Sequence, residues 1–308
     1  MSPEPLKPTE MNRTRLSIWL QAFRPFSYTA SIIPVFLGAA LAYGNAETQW
    51  PLLPFVLAAS LAIHAGTNLI NEYFDFLKGV DRPDTRGGSR VLPEGLLSPG
   101  AVLAAGLICF ALTALLGLWF IWLRGWPMLL LGLVGMAGGF FYTGFPFFLK
   151  YRGFGDPMVF VLMGPLMVIG SYYVLTGAYS HSVLWVSLPV GCLVAAILSA
   201  NNLRDIEDDI KAGIQTTACL LGFRLAKLEY AALVLTAFGI TAVLIVLNIL
   251  PLLSLLVLLT APLAFRNLHT VLTSRDSPEL EALDRKTAAL HLAFGILLIL
   301  SILLNKTA

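Results

Sequence analysis

The chain has 308 residues, 57% of them hydrophobic and only 12% charged, with a formal net charge of +2. Soluble domains carry about 25% charged residues, so the composition excludes an ordinary soluble domain. The near-neutral balance gives no electrostatic footprint for nucleic acid. Cys109, Cys192 and Cys219 are too scattered for a metal site or a disulfide framework and are expected as packing residues.

Residues 1–23 are polar, with Pro3, Pro5 and Pro8 pointing to a disordered tail. They lack an apolar core and a small-residue cleavage site, so no cleavable signal peptide is expected. From 24 to 308 the chain reads as one transmembrane domain. A helix needs about 20 apolar residues to cross a bilayer core. Such stretches fall near 26–43, 52–74, 101–123, 127–148, 157–177, 183–203, 228–248, 250–266 and 288–305. The apolar run from 229 to 265 is too long for one crossing, and Asn248 with Pro251 divides it. The expected fold is an all-α membrane bundle of about nine transmembrane helices.

An odd count places the termini on opposite sides. Alternate loops then collect eighteen of the twenty Lys and Arg residues, leaving only Arg124 and Lys306 on the other face. Basic residues concentrate on the cytoplasmic side. The N-terminus is therefore expected in the cytoplasm and the chain in the cytoplasmic (inner) membrane.

Along the second span, His64, Asn68, Asn71 and Asp75 recur at intervals of four, three and four. They form one polar stripe that should face the bundle interior, where an ionisable residue is costly and a functional candidate. His64 lies deepest and is expected as a hydrogen-bonded packing residue. Glu72 points to another face, as a supporting partner or an interfacial residue. The loop that follows, DRPDTRGGSRVLPEGLLSP (81–99), is dense in Gly, Pro and Arg. Gly87 and Gly88 would let backbone N–H groups approach an anion that Arg86 and Arg90 neutralise; the alternative is a solvated connector.

At the end of the sixth span, Asn201, Asp205 and Asp209 fall every fourth position on one helical face, flanked by Asn202 and Asp208. The alternative is a charge-laced helix end pairing internally with Arg204 and Lys211, but Asp205, Glu207, Asp208 and Asp209 outnumber Arg204, the nearest base. Uncompensated carboxylates at a membrane edge call for a cation, and Mg²⁺ typically takes one or two carboxylates and completes its shell with water and phosphate. The two clusters, Asn71–Asp75–Asp81 and Asn201–Asp205–Asp209, end helices that run in the same direction. That parity fits a parallel duplication of four-helix units, helices 1–4 and 5–8, or a coincidence of two short motifs. Either way, one cavity can receive both.

NEYFDFLKGVD (71–81) and NNLRDIEDDIKAG (201–213) closely resemble the paired Asn/Asp signatures of UbiA-type intramembrane prenyltransferases. The resemblance extends over nearly the whole chain, through RPFS (24–27), YTGFPF (142–147), KYRGFGD (150–156) and GPLMVIGSYYVLTG (164–177). It is greatest to the 1,4-dihydroxy-2-naphthoate prenyltransferases of menaquinone synthesis. The resemblance implies one Mg²⁺ held by Asp75 with Asn71 and Asp81, and another held by Asp205 and Asp209 with Asn201. It implies that Arg90 and Lys150 contact a diphosphate, while Tyr142 and Arg152 line the same cavity. Two departures are Glu72, where many members have Asp, and Gln215, near which many have a basic residue.

The implied substrates are a polyprenyl diphosphate and an aromatic acid, met within membrane lipid. Mg²⁺, Arg and Lys would stabilise the leaving diphosphate in a dry cavity. Phe140, Phe141, Tyr142, Phe145 and Phe147 could wall an allylic cation or pack at the interface. Arg24, Lys150 and Arg152 could steer the acceptor's carboxylate. Transfer to 4-hydroxybenzoate or another aromatic acceptor is the alternative within the enzyme class. A transporter of a phosphorylated polyprenol is the alternative outside it, although transporter sites tend to lie near the midplane rather than at one face.

Overall fold

A computed structural model describes residues 14–85 and 87–307. Arg86 and the Pro3–Pro5–Pro8 stretch, which carry expectations above, lie outside the described residues. Among the described residues eleven α-helices make up the bundle: α1 Arg15–Phe23, α2 Thr29–Ala42, α3 Leu53–Leu77, α4 Pro99–Arg124, α5 Trp126–Phe141, α6 Gly155–Val161, α7 Met167–Thr176, α8 His181–Lys211, α9 Thr217–Val246, α10 Ala261–Thr273 and α11 Leu283–Thr307. A π-helical turn, Leu162–Leu166, joins α6 to α7 into one span, and a 3₁₀ segment, Leu252–Thr260, leads into α10. Among the described residues eight helical segments are long and apolar enough to cross a membrane. The segment expected to be the fourth crossing, α5, is apolar but has only 16 residues.

The division near residue 250 is built as the sequence implies. Asn248 adopts the left-handed conformation (φ 56°), and the Ile249 and Leu250 N–H groups both donate back to Leu244 O, ending α9. One expectation is corrected. Residues 15–23 are not part of a tail but the helix α1, started by the Thr14 hydroxyl, which accepts from Ser17 N. Its Ile18, Trp19, Ala22 and Phe23 form an apolar stripe packed on Leu69, Val91, Leu92 and Val102.

The two acidic helices end in the same way. After α3, Gly79 takes φ +69° and Val80 N donates to Asp75 O at 2.9 Å. After α8, Gly213 takes φ +71° and Ile214 N donates to Asp209 O at 3.1 Å. A left-handed glycine just past the last turn reverses the chain and satisfies carbonyls that would otherwise lack partners. The first reversal brings Asp81 back to the end of α3. Val80 and Ile214, the residues after each glycine, meet at Tyr151 in a small apolar cluster. The shared cap pairs Asp75 with Asp209, whereas the motif spacing pairs it with Asp205.

Candidate active site

Asp75 sits on the last turn of α3 and is 3% exposed. Lys150 Nζ donates to its Oδ2 at 2.8 Å, and the Tyr151 hydroxyl donates to its Oδ1. Lys150 also reaches Asn71 Oδ1 at 3.4 Å. Burial alone would lower the Lys150 pKa, but the Asp75 carboxylate, with help from Tyr142 and Asp209, holds it above its ordinary value. The ammonium is therefore a fixed positive charge. Asp81 is buried with Oδ2 unpartnered. Burial, then the carboxylates of Asp75 and Glu72, push its pKa up to about 8.

On α8, Arg204 grips Asp205 through two bonds, Nε to Oδ1 and Nη2 to Oδ2, both 2.7 Å. Its Nη1 donates at 2.7 Å to Asp284, at the start of α11. Asp209, also buried, accepts from the Thr216 hydroxyl at 3.1 Å. Asp156 receives the Asn202 amide at 3.0 Å, tying α6 to α8.

The 78–98 loop closes over both motifs. A Cβ on Gly87 would stand 2.7 Å from Asp205 Oδ2, and one on Gly88 would overlap Asp81. The glycines are thus the points where backbone touches each acidic group. Glu72, fully buried, anchors this loop: it pairs with Arg24 at 2.6 Å and accepts from Ser89 N at 3.0 Å. Gln21 of α1 holds Ser89 O at 2.6 Å.

Asn71, Asp75, Asp81, Asn201, Asp205 and Asp209 all line one polar cavity of about 130 Å³, together with Arg24, Tyr142, Lys150 and the flanking Asp208. An apolar chamber of about 630 Å³ adjoins it, and Arg24, Asn68, Tyr142, Asn201 and Arg204 line both. Below this shared rim the chamber wall is mainly Leu, Ile, Val, Met and Gly from α3, α4, α5, α7 and α8. An anionic head fits the first space and a hydrocarbon tail the second.

The donor set fits a hard divalent cation. Asp81 offers an unpartnered buried oxygen, and the other carboxylate oxygens keep lone pairs beyond their present bonds. Among the described residues no three acidic, His or Cys side chains converge into a ready-made metal cage. Mg²⁺ does not need one, since substrate phosphate and water complete its shell.

Other expectations are corrected. Arg90 does not line the cavity: its guanidinium donates to Thr85 O and to Pro83 O (3.0 Å) and pairs with Glu94 at 2.8 Å, bracing the loop from within. Arg152 is exposed and lies outside the cavity, its backbone paired with Gln215. Of the five aromatic residues from 140 to 147, only Tyr142 lines the cavities. Phe141 and Phe147 pack edge to face at 4.8 Å, and Phe145 is 69% exposed. Phe26 and Phe120 supply aromatic wall in their place. His64 is hydrogen-bonded as expected, to Ser27 and Ser31. Glu72 takes the supporting role of the two expected for it, whereas Tyr151 and the Arg204–Asp284 pair were not foreseen and carried no sequence signal.

Comparison with known proteins gives the family and the fold. The UbiA prenyltransferase family matches residues 31–302. A 1,4-dihydroxy-2-naphthoate octaprenyltransferase of Bacillus subtilis (strain 168) is 37% identical over 216 residues, covering 70% of this chain and 69% of that protein. UbiA prenyltransferase domain-containing protein 1 of Rattus norvegicus is 33% identical over 296 residues, covering 95% and 85%. Among solved structures, a UbiA homologue from Aeropyrum pernix K1 superposes with a TM-score of 0.66 at 17% identity, over 94% of this chain and 99% of that one. A UbiA homologue from Archaeoglobus fulgidus bound to GPP and Mg²⁺ gives 0.58 at 18% identity, over 92% and 99%. With two Asn/Asp motifs facing one cavity and a family match spanning all but the ends, this chain belongs to the UbiA prenyltransferase family.

Proposed function

We propose that this protein transfers a polyprenyl group from a polyprenyl diphosphate to an aromatic acid, 1,4-dihydroxy-2-naphthoate, with release of diphosphate and CO₂. The observation that carries the reading is the junction of the two spaces, acidic motifs of α3 and α8 in a polar cavity that opens into an apolar chamber. Family membership favours the transferase over a polyprenol transporter. The similarity to the Bacillus subtilis octaprenyltransferase favours naphthoate over 4-hydroxybenzoate.

Asp75 and Asp81 on one side, and Asp205 and Asp209 on the other, would hold Mg²⁺, with Asn71 and Asn201 assisting. The bound ions supply Lewis-acid stabilisation of charge developing on the diphosphate. Lys150 donates to the same diphosphate from a buried position, where its charge is little screened. The allylic C–O bond breaks with its electron pair leaving on the diphosphate. The cationic carbon then sits at the chamber's head, where Tyr142 presents an aromatic face and aliphatic walls exclude water. Arg24 lines both spaces and has its Nε unpartnered, which suits it to steer the acceptor's carboxylate. The ring attacks the allylic carbon, and departure of CO₂ returns a bonding pair to the ring.

The basic residues of the loops around the cavity support a site on the cytoplasmic face of the inner membrane. The test is product mass after incubation of purified protein with Mg²⁺, a polyprenyl diphosphate and either acid. A prenylated naphthalenediol lacking the carboxyl group is expected. Preferential prenylation of 4-hydroxybenzoate with its carboxyl retained would overturn the naphthoate assignment, and substrate-dependent flux across liposomes without any prenylated product would overturn the transferase reading.

A further inference from the structure

A hydrogen-bonded string of side chains runs from the rim of the carboxylate cavity into the apolar chamber, and the reaction as derived above does not use it. Ser27, His64 and Asn68 line the chamber, and Asn68 lines the polar cavity as well. The bonding fixes each group. The Ser27 hydroxyl donates to Arg24 O at 2.9 Å, so its oxygen is left to accept. It receives Asn68 Nδ2 at 3.3 Å and lies 3.2 Å from His64 Nε2. With the Ser27 proton on Arg24 O, the proton of the ring is assigned to His64 Nε2, and Nδ1 takes the Ser31 hydroxyl at 2.8 Å, a shorter contact than the 3.5 Å from that hydroxyl to Ser60 O.

Asn68 Nδ2 also faces the Phe23 carbonyl at 3.5 Å, which only an N–H can approach favourably. The orientation of the amide follows. Its Nδ2 is turned to the protein, and its Oδ1 accepts no hydrogen bond from the described residues. That oxygen is left at the boundary between the two spaces. Asn68 lies seven residues before Asp75 on the same helix, roughly 10 Å along the axis at 1.5 Å per residue. A diphosphate held at the Asp75 end of the helix would place its allylic carbon, and the ring that attacks it, near this level.

We propose that Asn68 Oδ1 accepts a hydrogen bond from a ring hydroxyl of the aromatic acceptor, with Ser27 and His64 as positioning residues that hold the amide in register. This rests on the aromatic-acceptor reading. Accepting this hydrogen bond, with the proton staying on the ring oxygen, orients the ring beside the allylic carbon and supports positive charge on it as the new C–C bond forms. The site selects for acceptors with a free hydroxyl, since an ether in its place leaves the amide oxygen unpaired in an apolar wall.

The test uses the detergent-purified full chain with Mg²⁺, GPP, 1,4-dihydroxy-2-naphthoate and its two monomethyl ethers. For the wild type, one ether should lose about tenfold or more in kcat/KM against the parent acid. In Asn68→Leu that discrimination should disappear while the KM for GPP stays within about twofold, a pattern a purely structural defect does not produce. Asn68→Ala, which adds space rather than bulk, provides a second reading if the leucine variant does not fold. Ser27→Ala and His64→Leu should weaken the discrimination in part, and His64→Gln, which keeps a polar head, should restore some of it. A wild type that treats both ethers like the parent, or an Asn68 variant that retains the wild-type ratio, overturns the proposal. Absence of prenylated product from the wild type with every aromatic acid tried overturns the acceptor reading itself, and this inference with it.

Discussion

Three glycines near the acidic motifs separate the effect of backbone strain from the effect of crowding a carboxylate. Gly79 has φ +69° and open space where a Cβ would go. Gly79→Ala should therefore cost only the left-handed conformation, about 1–2 kcal/mol. Gly87 does not have a positive φ, but a Cβ there would meet Asp205 Oδ2 at 2.7 Å and Cγ at 3.1 Å. Cβ contacts essentially never fall below 3.0 Å, and Asp205 is pinned by two bonds from Arg204, so loop or carboxylate must give way. Gly88 combines both faults, with φ +74° and overlap with Asp81. A catalytic group misplaced by about 1 Å can cost about a hundredfold in rate. Gly79→Ala should lower the melting temperature with near-normal turnover. Gly87→Ala and Gly88→Ala should lose about ten- to a hundredfold in kcat and need more Mg²⁺ for half-saturation, Gly88→Ala being also the less stable. The assay is prenyl transfer over a Mg²⁺ series, beside thermal unfolding in detergent. Wild-type kcat and Mg²⁺ dependence in both Gly87→Ala and Gly88→Ala would refute the reasoning that the loop backbone sets the carboxylates.

Asp75→Asn, Asp205→Asn and Asp209→Asn should each lose at least about a hundredfold in activity while remaining folded, since each keeps shape and removes the charge that holds metal; near-normal turnover in either of the first two would refute the two-metal arrangement. Magnesium titrations followed by calorimetry should show tighter binding with pyrophosphate present than without, and equal affinities would contradict a shell completed by phosphate. Glu72→Leu should leave Arg24 without its partner and Ser89 N without its acceptor, at a cost of about 3–5 kcal/mol, measured as a lower melting temperature and faster proteolysis within 81–98. Reporter fusions after Gly79, Gly155 and Gly213 should all report cytoplasm, and a periplasmic signal at any of them would break the assignment of one face to both motifs.

The sequence made the membrane bundle and the two acidic helix ends readable because both rest on local pattern. Apolar runs of bilayer length mark helices, and polar residues every third or fourth position mark an inward face. The same logic misjudged Arg90 and Arg152. Charge next to a motif says that a base is near, but the backbone decides where its side chain goes. Arg90 has φ +66° and turns its guanidinium onto carbonyls of its own loop. The Phe cluster left two readings open, cavity wall or interfacial packing, and the turn after α5 decides between them by directing Tyr142 inward and Phe145 outward. The helix α1 was missed because nine residues with one short apolar stripe fall far below the length of a crossing. Asp284 could not be paired with Arg204, eighty residues away, without the fold.

The charge balance of the cavity joins these findings. Five carboxylates line it, from Asp75, Asp81, Asp205, Asp208 and Asp209, against three cationic side chains, Arg24, Lys150 and Arg204. The protein cations are already committed: Lys150 to Asp75, Arg204 to Asp205 and Asp284, Arg24 to Glu72. What stays uncompensated is centred on Asp81 and Asp209. Burial, then the carboxylates of Asp75 and Glu72, raise the pKa of Asp81, so its charged form calls for a nearby cation. On the proposed reading, divalent ions would remove the excess and overshoot it, and an anionic diphosphate would bring the sum back toward neutrality. A free diphosphate without metal would meet a net negative wall, and metal without diphosphate would lack part of its shell. The arrangement thus favours taking up the two together. The loop contributes glycine backbone at the carboxylates, where a Cβ would crowd Asp205 and Asp81.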